Sequence, residues 1–109
     1  MYSLKKNRQF QYVYRKGKSM ACREMALLYV RGRNLQVGFS VSKKVGNAVV
    51  RNRTKRRMRE AFTPLIGSLP PGQYVVVARE AAGQATYQAL ERSLRYLLRK
   101  QGLQREAQP

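Results

Sequence analysis

The stretch Val41-Ser42-Lys43-Lys44-Val45-Gly46-Asn47-Ala48-Val49-Val50-Arg51-Asn52-Arg53-Thr54-Lys55-Arg56-Arg57-Met58-Arg59-Glu60 decides how the chain is read. Its first part, up to Gly46-Asn47, reads as a loop, because that pair is a turn former. Beyond it, at 100° per residue, Val50, Thr54, Met58, Ala61, Phe62 and Leu65 fall within a sector of about 120°, the arc that a core-facing helix requires. The remaining circumference holds Asn52, Arg53, Lys55, Arg56, Arg57 and Arg59, with Glu60 as the lone counter-charge. Like charges at i, i+4, such as Arg51 with Lys55 and Lys55 with Arg59, each cost an isolated helix about 0.2 to 0.5 kcal/mol. The helix should finish near Gly67, ahead of the Pro70-Pro71-Gly72 turn.

Working outward, Leu35, Val37, Phe39 and Val41 alternate with Gln36, Gly38 and Ser40, which predicts a strand with one greasy face and one small, polar face. A sheet with an open polar face follows. Met25 to Val30 is a short continuous apolar run, hence a strand, and the Gly32 and Asn34 turn residues predict a hairpin connection to the alternating strand. Tyr74 to Ala78 is β-branched without alternation, as suits a strand in the middle of a sheet or covered on both sides. Ala85 to Lys100 is an amphipathic helix, with Tyr87, Leu90, Leu94 and Leu97 inward and Arg92, Arg95 and Arg99 outward. Asn7 to Lys16 predicts a short helix with Phe10, Val13 and Tyr14 on one stripe, Asn7 as cap and Gly17 as stop. The result is a small two-layer α+β domain of order α-β-β-(β)-α-β-α, the bracketed strand an optional short one in the first hairpin. It is one domain over 1–109, with 1–6 and 102–109 expected to be flexible.

The chain has 109 residues and carries 23 Lys plus Arg against 5 acids, a net charge of +18, and contains no His. All five acids are glutamates, so the usual catalytic sets are missing: a neutral-pH imidazole base, a metal-binding His cluster, an aspartate pair. The single Cys22 excludes an intramolecular disulfide and a cysteine metal knuckle, fits a reducing compartment, and reads as a small apolar filler. The first twenty residues interleave cations with aromatics, and no apolar run approaches the roughly 20 residues of a membrane span. A cytoplasmic location with no membrane partner is expected. So much charge on so short a chain calls for a polyanion.

Arginine suits bidentate phosphate contacts, and asparagine bonds bases, riboses or amides, so Arg51-Asn52-Arg53 suits a nucleic-acid surface that Lys43 and Lys44 extend. Charge does not distinguish duplex DNA, duplex RNA and a single strand. Phe10 and Tyr14 would supply stacking rings for a single strand if their helix borders the polar face carrying Gln36, Gly38 and Ser40; equally, both rings suit a core.

The stretch from Val41 to Glu60 resembles the signature of bacterial ribonuclease P protein subunits, above all in its Arg-Asn-Arg-x-Lys-Arg run after Gly-Asn-Ala-Val. The likeness extends to Leu4-Lys5-Lys6 with Phe10, to the alternating strand and to Tyr74 to Ala78, nearly the whole chain. It implies a mixed sheet whose basic helix joins two parallel strands by a left-handed crossover, as in a domain of a small-subunit ribosomal protein, although general rules favour the right-handed path. It also implies a protein that binds a large catalytic RNA and the 5′ leader of precursor tRNA while the RNA, with magnesium bound mainly to it, removes the leader. By position, Lys43, Lys44, Arg51 and Asn52, with Arg53, Lys55, Arg56 and Arg59, would contact the catalytic RNA. Phe10, Tyr14, Gln36, Ser40 and Lys55 would line the leader path; no catalytic residue and no small-molecule substrate are implied, and metal positions stay open. Leu28 stands where some relatives carry an aromatic, and no aromatic follows Gly102. Two other readings suit the composition: a ribosome-associated or general RNA-binding protein, and an independent nuclease, which the absence of Asp and His disfavours.

Overall fold

A computed structural model describes residues 2–103. Its elements are β1 (Tyr2–Ser3), α1 (Asn7–Lys16), β2 (Lys18–Ala21), β3 (Met25–Arg31), β4 (Gln36–Ser40), α2 (Ala48–Phe62), β5 (Gly72–Ala78) and α3 (Tyr87–Lys100). Short 3-10 segments at Lys43–Val45, Thr63–Ser68 and Glu80–Gln84 connect them. The strands form one mixed sheet in the order β1-β4-β5-β3-β2. β4 and β5 run parallel and adjacent, so the chain crosses from one to the other through the basic helix α2. This is the α+β architecture and element order expected, with the short β2 completing the first hairpin.

The pairing corrects one expectation. Met25–Arg31 does not form a hairpin with Gln36–Ser40, because β5 lies between them, antiparallel to β3 and parallel to β4. The hairpin partner of β3 is β2. The physical reason is the composition of β5: Tyr74, Val75 and Val76 are fully buried, and such a strand needs partners on both edges and cover on both faces.

Side-chain alternation divides the sheet into two faces. Leu27, Val37, Phe39, Tyr74 and Val76 meet α2 and α3 in the main core. Leu28 and Val75, on the other face, meet Leu4 and Val13, with Phe10 packed alongside. The second face is therefore only partly open, since α1 covers its centre. The chain start is also tied down rather than flexible: Tyr2 and Ser3 pair with Gln36 and Val37, the Leu4 N–H donates to the Val37 carbonyl at 3.0 Å, and Leu4 is buried. An apolar side chain four residues from the start found the uncovered sheet. At the other end Leu103 is buried, while 104–109 lie outside the described residues.

Each helix has a local reason for its limits. At α1 the cap position is Lys6, not Asn7, because the Gln9 side-chain oxygen accepts from the N–H groups of Lys5 and Lys6 at 3.0 Å. Gly17 ends that helix by donating to the Val13 carbonyl at 2.7 Å. α2 starts where Asn47 Oδ1 accepts from Val50 N–H at 3.0 Å. Immediately before it, Gly46 has φ 156°, and a Cβ there would stand 2.8 Å from the Val50 side chain, so the tight entry into α2 needs glycine. Thr54, Met58, Ala61 and Phe62 form the buried face of α2, and Leu65 continues it into the 3-10 segment begun around Pro64.

Two inward arginines fasten α2 to the segment ahead of α3. Arg57 Nη1 donates to the Ala85 carbonyl at 3.0 Å, and Arg53 Nη2 to the Gly83 carbonyl at 3.4 Å. Arg57→Ala should lower unfolding free energy by about 1.5 kcal/mol or more, since it removes a charge-assisted bond to a part-buried carbonyl. Lys55→Ala, at an exposed position, should stay within about 0.5 kcal/mol of wild type. Urea midpoints of the two variants check this.

A second tether joins the β2–β3 turn to α3. Ser93 Oγ donates to Glu24 Oε1 at 2.7 Å, and Gln101 Nε2 donates to the Leu27 carbonyl at 2.8 Å. The Ser93 hydroxyl holds the Glu24 carboxyl below the ordinary glutamate range, helped by the Cys22 thiol at 3.7 Å and the charge of Arg23, and opposed by partial burial. Because the folded-state value is lowered, this contribution is complete above the ordinary glutamate range and is lost as pH falls through the lowered value. Urea midpoints of wild type and Ser93→Ala should therefore differ at neutral pH and converge as pH drops below about 4. A difference that does not change with pH would sever the tether from the titration.

Candidate nucleic-acid interface

The parallel crossover brings together segments that are distant in sequence. β1 covers only the start of the β4 edge, at Gln36 and Val37, and beyond Leu4 that edge has no strand partner among the described residues. A groove of about 310 Å³ opens there. Phe10 of α1 and the Ser3 to Lys5 segment form one side, Val37 to Phe39 the floor, and Lys55 and Arg59 of α2 the other side. Arg59 holds its guanidinium carbon 6.0 Å from the centre of the Phe39 ring, within cation–π range.

Gly38 explains how the Phe10 ring reaches the floor. A Cβ at Gly38 would lie 2.5 Å from Phe10 Cζ, so the ring occupies the volume that any other residue would take. The small residue in the alternating strand thus serves as a seat for an aromatic. Tyr14, one turn farther along α1, is 39 % exposed, and its ring centre lies 6.4 Å from that of Phe10 at a tilt of 48°. It extends the ring surface outside the groove. Gln36 and Ser40 flank Gly38 on β4 and are half-buried, but neither lines the groove; the Gln36 side-chain oxygen accepts from Gln73 Nε2 at 3.2 Å. Leu28 is buried beneath α1.

The candidate contact residues of the basic segment divide into three groups. Asn52, Lys55, Arg56 and Arg59 are exposed along the outer arc of α2. Arg56 approaches Glu60 at 3.9 Å, an exposed i, i+4 pair of small energetic weight. Arg51 and Arg53 are half-buried, and the Nε–H of each is screened from solvent without a partner in the protein. Lys43 and Lys44 are exposed in the 3-10 turn ahead of α2; Lys44 lines a separate recess with Arg23, Ser42 and Arg79 instead of the groove. Of the eight cations from Lys43 to Arg59, then, only Lys55 and Arg59 meet Phe10.

Lys5 lines the groove too, although sequence reasoning assigned it no role. The available signal was its neighbour Leu4, an apolar residue among polar ones, which anchors the segment over the sheet. The carboxylates are dispersed: Glu24 accepts from Ser93 and Glu60 sits beside Arg56. No group of three His, Cys, Asp or Glu side chains gathers among the described residues, so this donor set does not fit a magnesium ion held by the protein alone. No helix among the described residues is long and apolar enough to cross a membrane.

Comparison with known proteins agrees with this geometry. A ribonuclease P protein component of Bacillus velezensis is 42 % identical over 107 residues, covering 95 % of this chain and 92 % of the relative. A Bacillus cereus protein of the same description is 41 % identical over 106 residues, covering 94 % of this chain and 92 % of its own. Among solved structures, the Staphylococcus aureus RNase P protein superposes with a TM-score of 0.89 at 34 % identity, covering 96 % of this chain and 99 % of that one. The Thermotoga maritima RNase P protein gives 0.80 at 27 % identity, covering 92 % and 97 %. The pattern that defines the Ribonuclease P family matches residues 1–102. With the sheet order, the crossover through the basic helix and a match over nearly its full length, this chain belongs to the ribonuclease P protein family.

Proposed function

We propose that this chain, as the protein subunit of a tRNA-processing ribonucleoprotein, holds the 5′ leader of precursor tRNA in the groove between α1 and α2 while α2 grips the catalytic RNA. The observation that carries the reading is the meeting of Phe10 with Lys55 and Arg59 over an unpaired strand edge. A ring for base stacking beside cations for phosphates is the combination that binds single strands. Tyr14 supplies a second ring, and Gln36 and Ser40 offer polar groups at the margin. The exposed arc of Asn52, Arg56 and Arg59, with Lys43, Lys44, Arg51 and Arg53, contacts the catalytic RNA, and Lys55 serves both partners.

In this reading the protein contributes no catalytic group: its carboxylates are dispersed and it has no imidazole. Magnesium, held mainly by RNA phosphates, supplies the hydrolytic chemistry, and the protein's part is to position the leader in the cytoplasm where precursor tRNA is matured.

Reconstitution tests this. The purified protein should cleave nothing alone, and adding it to a bacterial ribonuclease P RNA at low magnesium should raise cleavage of precursor tRNA at the mature 5′ end. Absence of any gain over the RNA alone would overturn the reading. Phe10→Ala should weaken binding of leader-bearing precursors by about 10-fold, the loss of one stacked base, and leave mature tRNA unaffected. Gly38→Ala should reproduce that loss with a modest fall in the urea midpoint, because its methyl group displaces the far end of the ring and crowds Leu4 Cβ at 3.1 Å. Equal losses on precursor and mature tRNA would instead indicate general RNA binding.

A further inference from the structure

α3 carries a second cationic surface that the groove and α2 do not account for. Its inner face, Leu90, Leu94, Leu97 and Leu98, is fully buried, whereas Arg92, Arg95, Arg99 and Lys100 are exposed. Among them stands Tyr96, 48 % exposed, with Arg92 one turn before it and Lys100 one turn after. Arg99 and Lys100 lie in the last turn, where the helix dipole favours cations. Arg92 and Arg95 are mid-helix and have no such reason. A solvated face ordinarily mixes signs to gain i, i+4 pairs; here Glu91 stands at that spacing from Arg95 without forming an ion pair with it, and Arg95 and Arg99 are like charges at the same spacing. The ion pair found among the described residues lies elsewhere, between Arg56 and Glu60.

The chemistry resembles that of the groove, a ring beside cations, but at a different place. α2 packs over β4 and β5, and α3 over β3 and β2. The groove lies on the β4 side of α2, so the whole width of the helix layer separates it from α3. Along α3, Arg92, Arg95 and Arg99 follow one another at about 5 to 6 Å, a ladder suited to successive phosphates of one strand.

We infer that the exposed face of α3 is a second RNA-docking surface, in which Arg92, Arg95 and Arg99 take phosphates and Tyr96 stacks on an unpaired base, holding a segment of the catalytic RNA distinct from the one on α2. The inference rests on the RNA-binding reading above, and the experiment separates the two. Binding of ribonuclease P RNA is measured against salt for wild type, Arg92→Gln with Arg95→Gln, Lys55→Ala, and Arg33→Gln, which removes one positive charge at an exposed loop position outside both surfaces. The α3 double variant should bind about 10-fold more weakly at moderate salt with a salt slope reduced by about 2, and should keep the wild-type preference for precursor over mature tRNA. Arg33→Gln should change neither slope nor preference. A photo-crosslinking residue placed at Tyr96 should mark an RNA segment different from that marked from Lys55. A double variant that behaves like Arg33→Gln while Lys55→Ala still lowers the slope would overturn the α3 surface alone. If Lys55→Ala leaves the slope unchanged as well, the RNA-binding reading fails with it.

Discussion

The position of Phe62 governs most of what this protein presents to a partner. Its ring meets Phe39 edge-on at 6.0 Å and Tyr74 at 5.5 Å, so α2 is locked to β4 and β5 by three aromatics. Tyr74 is fixed in turn, its hydroxyl donating to the Pro70 carbonyl at 2.6 Å, and burial pushes its phenol pKa upward. Burying a side chain such as Phe62 or Met58 is worth about 1.5 to 3 kcal/mol each, against about 0.2 to 0.5 kcal/mol for each like-charge pair on the outer arc. Burial wins, which is why a helix so poor in counter-charges stays folded. With Phe62 fixed, Arg59 and Lys55, three and seven residues earlier, must lie along the β4 edge.

That edge is the second constraint. An exposed strand edge is a liability in a soluble domain, inviting pairing with other chains. Here β1 closes its first two residues, and the rest lies under Lys5, Lys55 and Arg59, whose charge discourages another strand. The same unpaired stretch, floored by Gly38 and overlooked by Phe10, is the groove. One arrangement thus protects the edge and leaves a groove whose charge is complementary to an anion.

Much of this was legible in the sequence, for identifiable reasons. The core sector of α2 was readable because helical period leaves few alternatives for Thr54, Met58, Ala61 and Phe62, and the central place of β5 because an unbroken β-branched run must be covered. The position of β5 between β3 and β4 was not, since periodicity reports which face of a strand is buried and never which strand lies beside it. The turn residues Gly32 and Asn34 truly mark a turn, but it connects strands that are not neighbours. The start of the chain was misread for a related reason. Leu4 is a single apolar residue without periodicity, and only the uncovered patch formed by Leu28 and Val75 gives it a destination.

Charge counting shows the same limit within the site. Eight cations lie between Lys43 and Arg59, and sequence alone gives all of them equal claim to phosphates. Folding distributes them unequally. Arg53 and Arg57 spend donors on the carbonyls of Gly83 and Ala85, thereby holding the segment that leads into α3. A guanidinium has five N–H donors, so an arginine committed this way still has others to offer, whereas lysine has one charged head to place. Arginine at these two positions can therefore hold a protein carbonyl and still keep further N–H donors. The exposed Lys55 and Arg59 carry no such bond to a distant carbonyl, and they are the cations that the fold sets opposite the Phe10 ring.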